Sequence, residues 1–270
     1  MTLVIGIKCT TGLVLGADGA ASLGAMGQMT ALQPTKKLFL LENKAIYGGA
    51  GFVGLSQRIE AKVKGRVTHF SNQDKAEIMA DLRKHVWTEI LDQEFKVAQA
   101  TAPVVGNQVA GAACLNAWLI AGVAKNKEPF LIQFDHAANP EAASDNLPFV
   151  AIGSGQTLAD PFLAFIRRIF WPARLPTLAE GEFAVWWALH HAIKASPGGV
   201  ANPKQLMVLQ KDGDKFTPHE LTDEECKEHE EAVGRVEEYL ADFEIDGGDA
   251  GQPQAPVIPP GPPAPTITGS

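Results

Sequence analysis

Met1-Thr2-Leu3-Val4-Ile5-Gly6-Ile7-Lys8-Cys9 runs through Thr10-Thr11-Gly12 into Leu13-Val14-Leu15-Gly16-Ala17-Asp18-Gly19-Ala20-Ala21-Ser22. Two short apolar runs flank a turn containing glycine, and a lone carboxylate among small residues follows at once. The pattern predicts a hairpin with strands near Leu3 to Cys9 and Gly12 to Ala17, apolar on both alternating faces. Such strands must be covered on both sides, by helices or by a second sheet. The hairpin presents Thr2, which is small enough for the initiator Met to be removed before it. The mature chain is then expected to begin with a threonine, which carries a nucleophilic hydroxyl and a free α-amine base on one residue.

Outward from this stretch, residues up to Pro34 are rich in Gly, Ala and Met and read as irregular. Lys37 to Leu41 and Lys44 to Gly49 read as a second strand pair around Glu42-Asn43. That pair ends in Gly48-Gly49-Ala50-Gly51, where glycines permit close backbone approach. The period then changes. Phe52, Leu55, Ile59, Val63, Val67 and Phe70 lie three or four apart, as on one helix face. Ser71-Asn72-Gln73-Asp74 has capping-box form and opens a second helix carrying Ile78, Leu82, Val86, Ile90 and Leu91.

Val109 to Val123 and Pro129 to Phe134 follow as expected strands, then a polar loop over Asn139 to Asn146 and a short strand over Phe149 to Ile152. Gly153-Ser154-Gly155 leads into a helix through Leu158, Phe162 and Ile166. Thr177 with Glu180 caps the next, and Leu206 to Leu209 with Lys215 to Thr217 closes the sequence of strands. Strands, two helices, strands, two helices, strands is not the alternation of βαβ units. It predicts an α+β domain of two stacked sheets with helices outside both, a four-layer αββα sandwich over residues 1–221.

Residues 222–246 form an acidic C-terminal helix, capped by Thr222 and carrying Cys226, His229, Val233, Val236, Leu240 and Phe243 as a narrow stripe that Gly234 weakens. It either packs on the body or binds a partner. Residues 247–270 are a Pro- and Gly-rich tail, expected to be disordered or polyproline-like.

Composition excludes several classes. The net charge of -8 is concentrated in residues 222–249, which carry twelve acidic and two basic side chains. The remainder offers no basic footprint for nucleic acid. Three distant cysteines are no disulfide framework. No signal peptide and no run near the roughly 20 apolar residues of a membrane span is present, so a cytoplasmic protein is expected. Cys226 and His229, one turn apart, are only half a zinc site. The glycine clusters match neither phosphate-loop pattern. No cofactor or metal is expected.

Thr2 with Gly6, Gly16-Ala17-Asp18-Gly19, Lys36-Lys37, Gly49-Ala50-Gly51 and Gly153-Ser154-Gly155 resemble, in order, the landmarks of proteasome β-subunits and their bacterial relatives, including the two-ring ATP-dependent peptidase. These are N-terminal-nucleophile hydrolases, and the resemblance covers residues 2–210. It implies Thr2 as nucleophile and its own α-amine as base, at a pKa of about 7.7–8.0. It implies Lys37 as the buried cation, with Lys36 as the alternative because the preceding stretch is longer than usual. Asp18 would hold that lysine charged, Gly51 would give a backbone N–H to the oxyanion, and Ser154 would bond near the amine. Ala21, Thr35, Gly49 and Val53 would line a roomy apolar specificity pocket.

The same resemblance implies a threonine peptidase of unfolded polypeptide or peptide, self-associated in stacked rings, with an ATP-driven unfoldase left open. One departure stands out: where the family has an Asp and a Ser near the amine, this chain has Lys194-Ala195-Ser196-Pro197-Gly198-Gly199. The alternatives are a catalytically silent ring scaffold and an amidohydrolase of small acyl amides.

Overall fold

The computed structural model describes residues 2–25, 28–196 and 199–243. Strands β1 (Val4–Cys9) and β2 (Gly12–Asp18) form the expected hairpin, Val4 opposite Ala17 and Cys9 opposite Gly12. The stretch read as irregular is instead a second hairpin, β3 (Ala20–Ala25) with β4 (Gln28–Pro34). It pairs only with itself, and its small residues carry no alternation to announce it. Next come β5 (Leu38–Leu41) and β6 (Ala45–Gly51), joined by Glu42 and Asn43, both at φ 51° as the tight turn demands.

The long helix expected from Phe52 to Phe70 stops sooner: α1 is Val53–Lys64, and Val67–Asn72 tightens into a 3-10 turn. The capping box of α2 (Lys75–Val86) is Asp74 with Glu77, not Ser71 with Asp74. A π turn over Trp87–Leu91 continues into α3 (Asp92–Val105), and α4 (Asn107–Ala113) follows Gly106. The strand expected from Val109 therefore begins only at β7 (Asn116–Val123). Val109 at the head of this run favours strand, but Ala110, Ala112 and Ala113 after it favour helix. Then follow β8 (Pro129–Phe134), the short β9 (Pro140–Ala142) inside the expected loop, β10 (Phe149–Ile152), α5 (Gln156–Phe170) and α6 (Leu178–Ala195). The described chain closes with β11 (Lys204–Asp212), β12 (Lys215–Glu220) and α7 (Asp223–Ala241).

One sheet has the order β10-β1-β2-β11-β12 and the other β5-β6-β7-β8-β9. The period of two sorts each strand between layers. Leu3, Ile5 and Ile7 pack with Phe183, Val185 and Leu189 of α6, while Val4, Leu13 and Leu15 meet Ile46, Leu119 and Leu131 between the sheets. Tyr47, Trp118 and Ile120 face Leu55, Ile59 and Leu82 on the far side. Three apolar clusters thus fill the three spaces of a four-layer αββα sandwich.

The C-terminal helix packs on this body. His229, Ala232, Val233 and Val236 are buried, while Leu240 and Phe243 at the end of the stripe are not. Trp186 Nε1 donates to Glu230 and Trp187 Nε1 to Glu237, and buried His229 lies 3.3 Å from the carboxylate of Glu182. The adjacent His190 and His191 are both half-buried: the first pairs with Glu230 and the second stacks on Phe162. Among the described residues no helix is long and apolar enough to cross a membrane. The proline-rich tail lies outside the described residues.

Candidate active site

Thr2 lies one residue before the pairing of β1, at the end where β10 finishes and α5 begins. Its backbone nitrogen donates to Ser154 Oγ at 3.1 Å, and its carbonyl accepts from Gly155 N–H at 3.1 Å. Gly153 has φ 93°, and a β-carbon there would stand 2.2 Å from the Thr2 carbonyl oxygen. Glycine is required on both counts. The segment that leads into α5 therefore also clasps Thr2.

Asp18, at the end of β2, is fully buried. Its Oδ1 accepts from Leu3 N–H at 2.8 Å and from Lys37 Nζ at 2.7 Å. Its Oδ2 accepts from Ala201 N–H at 3.3 Å and Ala20 N–H at 3.4 Å. Lys37 is also buried, and its ammonium is held below the ordinary lysine range because burial outweighs the favourable charge and hydrogen bond of Asp18. A buried ammonium survives only with such a partner. Lys36 points elsewhere, pairing with Glu220 at the exposed surface. Of the two lysines left open by sequence, Lys37 is the one placed beside Asp18.

Gly51 ends β6 with φ 135°, and a β-carbon on it would come within 2.5 Å of the Leu115 carbonyl. It is opposite Asn116 in the ladder, and Ala50, one residue earlier, approaches Gly153. The Gly51 end of the second sheet therefore meets the Thr2 end of the first. Gly49 lies two residues back, its missing side chain leaving room for Ser56 Oγ and Tyr47 Oη. Val53 is half exposed at the start of α1, and Ala21 and Thr35 lie at the base of the β3–β4 hairpin. A cavity of about 330 Å³ opens between Ala117 and Ile152, near the Ala50–Gly153 contact, but it is lined by Gln133, Asp135, Glu141 and Gln156 rather than by those four residues.

Gln205 escaped the sequence reading. Its Oε1 accepts from Lys37 N–H at 2.9 Å and Leu38 N–H at 3.3 Å, and its Nε2 donates to Thr35 O at 2.6 Å. The side chain fixes the segment that delivers Lys37. A polar residue at the head of an apolar strand was its only signal. Among the described residues Cys226 and His229 belong to no group of three or more potential metal ligands, and His229 is engaged by Glu182. The segment that departs from the family, Lys194 to Gly199, includes Pro197 and Gly198, which lie outside the described residues.

Residues 2–164 match the model of the proteasome subunit family. The chain belongs to this family. Its type is that of the N-terminal-nucleophile hydrolases. The fold is similar to that of a Gly-1 mutant of Anbu from Hyphomicrobium sp. strain MC1, at TM-score 0.63 and 17% identity, covering 92% of this chain and 100% of that one. Anbu from Yersinia bercovieri, described as an ancestral beta-subunit, aligns at TM-score 0.59 and 14% identity over 90% and 98%. The helical assembly of the Anbu complex from Pseudomonas aeruginosa aligns at 0.62 and 16% over 89% and 94%. At such identities the likeness concerns the fold. No curated protein matches the chain in sequence.

Proposed function

We propose that this chain is a threonine-type peptidase whose nucleophile is Thr2 once Met1 has been removed, working in a self-associated ring on peptide or unfolded polypeptide. The observation that carries this reading is the meeting of two donors on one buried oxygen: Asp18 Oδ1 receives Leu3 N–H and Lys37 Nζ together. The cation is thereby held one residue from Thr2.

In the proposed reaction the neutral α-amine of Thr2 takes the proton of its own hydroxyl, with Ser154 Oγ in contact with that nitrogen. The oxygen attacks the scissile carbonyl while the charge on Lys37 favours the developing alkoxide. Gly51 N–H receives the oxyanion, where a side chain would obstruct the backbone. The tetrahedral adduct collapses to an ester on Thr2, and the leaving amine departs with the proton. Water then attacks the ester, with the amine again as base, and restores the hydroxyl. Ala21, Thr35, Gly49 and Val53 are assigned to the specificity pocket, with Ser56 Oγ and Tyr47 Oη adding polar atoms at the Gly49 end.

A silent scaffold is the second reading, favoured by one feature: Lys194 to Gly199 supplies no carboxylate beside the amine. Intact mass before and after incubation with a peptide epoxyketone separates the two, because that warhead needs a hydroxyl and a free amine on the same residue. Loss of Met1 and gain of one adduct, absent in Thr2→Ala, is expected. A chain that has lost Met1 and stays unmodified sinks the peptidase. Cleavage of simple amides but not peptides would point to the acyl-amide hydrolase instead.

A further inference from the structure

Six buried side-chain polar atoms have no hydrogen-bond partner among the described residues, and three of them lie on β7: Asn116 Nδ2, Asn116 Oδ1 and Trp118 Nε1. Asn116 is 1% exposed and Trp118 is wholly buried. Two residues apart on a strand, they share one face. In the ladder Asn116 is opposite Gly51 and Trp118 is opposite Gly49. The unpaired atoms therefore stand across from the two glycines of β6 assigned to the oxyanion and to the specificity pocket.

An unpaired buried amide costs stability, because each of its atoms has given up a bond to water. Leucine, of similar shape, would carry no such cost here. The missing side chain of Gly51 brings that amide to the site: a β-carbon on Gly51 would stand 2.9 Å from Asn116 Nδ2. A β-carbon is about 2.5 Å from its own backbone nitrogen, so the amide lies no more than about 5.4 Å from the Gly51 nitrogen. A glutamine side chain spans that gap.

The polarity of the atoms indicates the ligand. An oxyanion or a carboxylate would use Nδ2 and leave Oδ1 unpaired, and an ammonium would do the reverse. A carboxamide offers an acceptor and a donor side by side and satisfies both. The Trp118 N–H remains for the second lone pair of its oxygen.

We propose that Asn116 sets the substrate preference of the site, receiving the carboxamide of a glutamine on the residue whose carbonyl is attacked, with the Trp118 N–H as a further donor. This inference rests on the peptidase reading above. Leu115 and Phe52, which flank the Asn116–Gly51 pair, are 44% and 54% exposed, and exposed side chains change rotamer readily. The carboxamide enters past them.

The test uses three fluorogenic peptides that differ only at the residue whose carbonyl is attacked, carrying glutamine, glutamate or norleucine, on the full chain and on Asn116→Leu. The parent is expected to cleave the glutamine peptide roughly 10–100-fold better in kcat/KM than the other two. In Asn116→Leu the glutamine-to-norleucine ratio should fall to about one or below, while the variant melts about 2–4 °C higher. A parent without the preference overturns the inference, as does a ratio that survives in the variant. So does a folded variant that melts lower, which would show that the amide has a structural partner. Should Asn116→Leu misfold, Asn116→Ala is judged by the ratio alone. A parent that cleaves none of the peptides and does not label with the epoxyketone removes the peptidase, and binding then decides this inference. A glutamine tripeptide amide that raises the melting temperature of the parent, where its norleucine counterpart does not, supports it; equal effects overturn it.

Discussion

The carbonyl oxygen of Thr2 lies 2.2 Å from the point that a β-carbon on Gly153 would occupy, and Gly153 has a φ of 93° that disfavours any side chain. Thr2 is thus seated by backbone rather than by its own side chain. Gly153→Ala is expected to displace it, slowing adduct formation by roughly 100-fold and destabilising the fold by about 1–3 kcal/mol. Single-turnover labelling with urea unfolding checks both. A parent-like labelling rate would mean that the seat is unimportant.

Ser154 contributes differently, because it is exposed and touches Thr2 through its hydroxyl. Ser154→Ala should leave stability within about 0.5 kcal/mol of the parent and slow labelling by about 100-fold. Equal labelling rates would remove Ser154 from the proton path.

Lys37→Ala strips the partner from a fully buried carboxylate. The expected cost is about 3–5 kcal/mol of stability, with loss of labelling at Thr2. Lys36→Ala, acting on the exposed pair with Glu220, is expected to change stability by under about 1 kcal/mol. Reversal of the two results would reinstate Lys36 as the functional lysine.

The pH dependence of labelling follows from two groups. The amine must be neutral, so the rate should rise through the ordinary α-amino range of about 7.7–8.0. Lys37 must stay charged, and burial brings its loss of a proton to lower pH than in free lysine, against the opposing pull of Asp18. The alkaline decline therefore begins below the ordinary lysine value of 10.5. A rate still climbing at that pH contradicts the role given to Lys37.

Gly234 is within α7 with nothing inside 4 Å of its absent β-carbon. Gly234→Ala should stabilise the chain by about 0.5–1 kcal/mol, since alanine loses less backbone entropy in a helix. Thermal melts of the two chains suffice to measure it. A lower melting temperature in the variant would show a contact that the helix surface conceals.

The legibility of the sequence varied with how much local pattern each element carries. The β1–β2 hairpin, the capping boxes at Thr177 and Thr222 and the αββα layering were readable, because alternation, capping residues and the grouping of strands are local signals. The β3–β4 hairpin was not, since Gly, Ala and Met carry no alternation, and its strands are strands only by pairing with each other. Helix α4 reads as the start of a strand because Val109 favours strands in isolation, and α3 carries no sustained apolar period to announce it. At the site, the placement of Asp18 beside Lys37 was foreseen through the family pattern. Gln205, 168 residues along the chain from Lys37, had no local mark of its own.

Asp18 receives donors from the start of β1, from β3, from the approach to β11 and from Lys37. Four distant parts of the chain converge on a single side chain, so selection for folding alone is enough to preserve it and its lysine. A descendant that abandoned turnover would keep both. Position 154, at the surface, would be released to drift first. Across such lineages the ion pair is a record of ancestry, and the hydroxyl at position 154 a record of use.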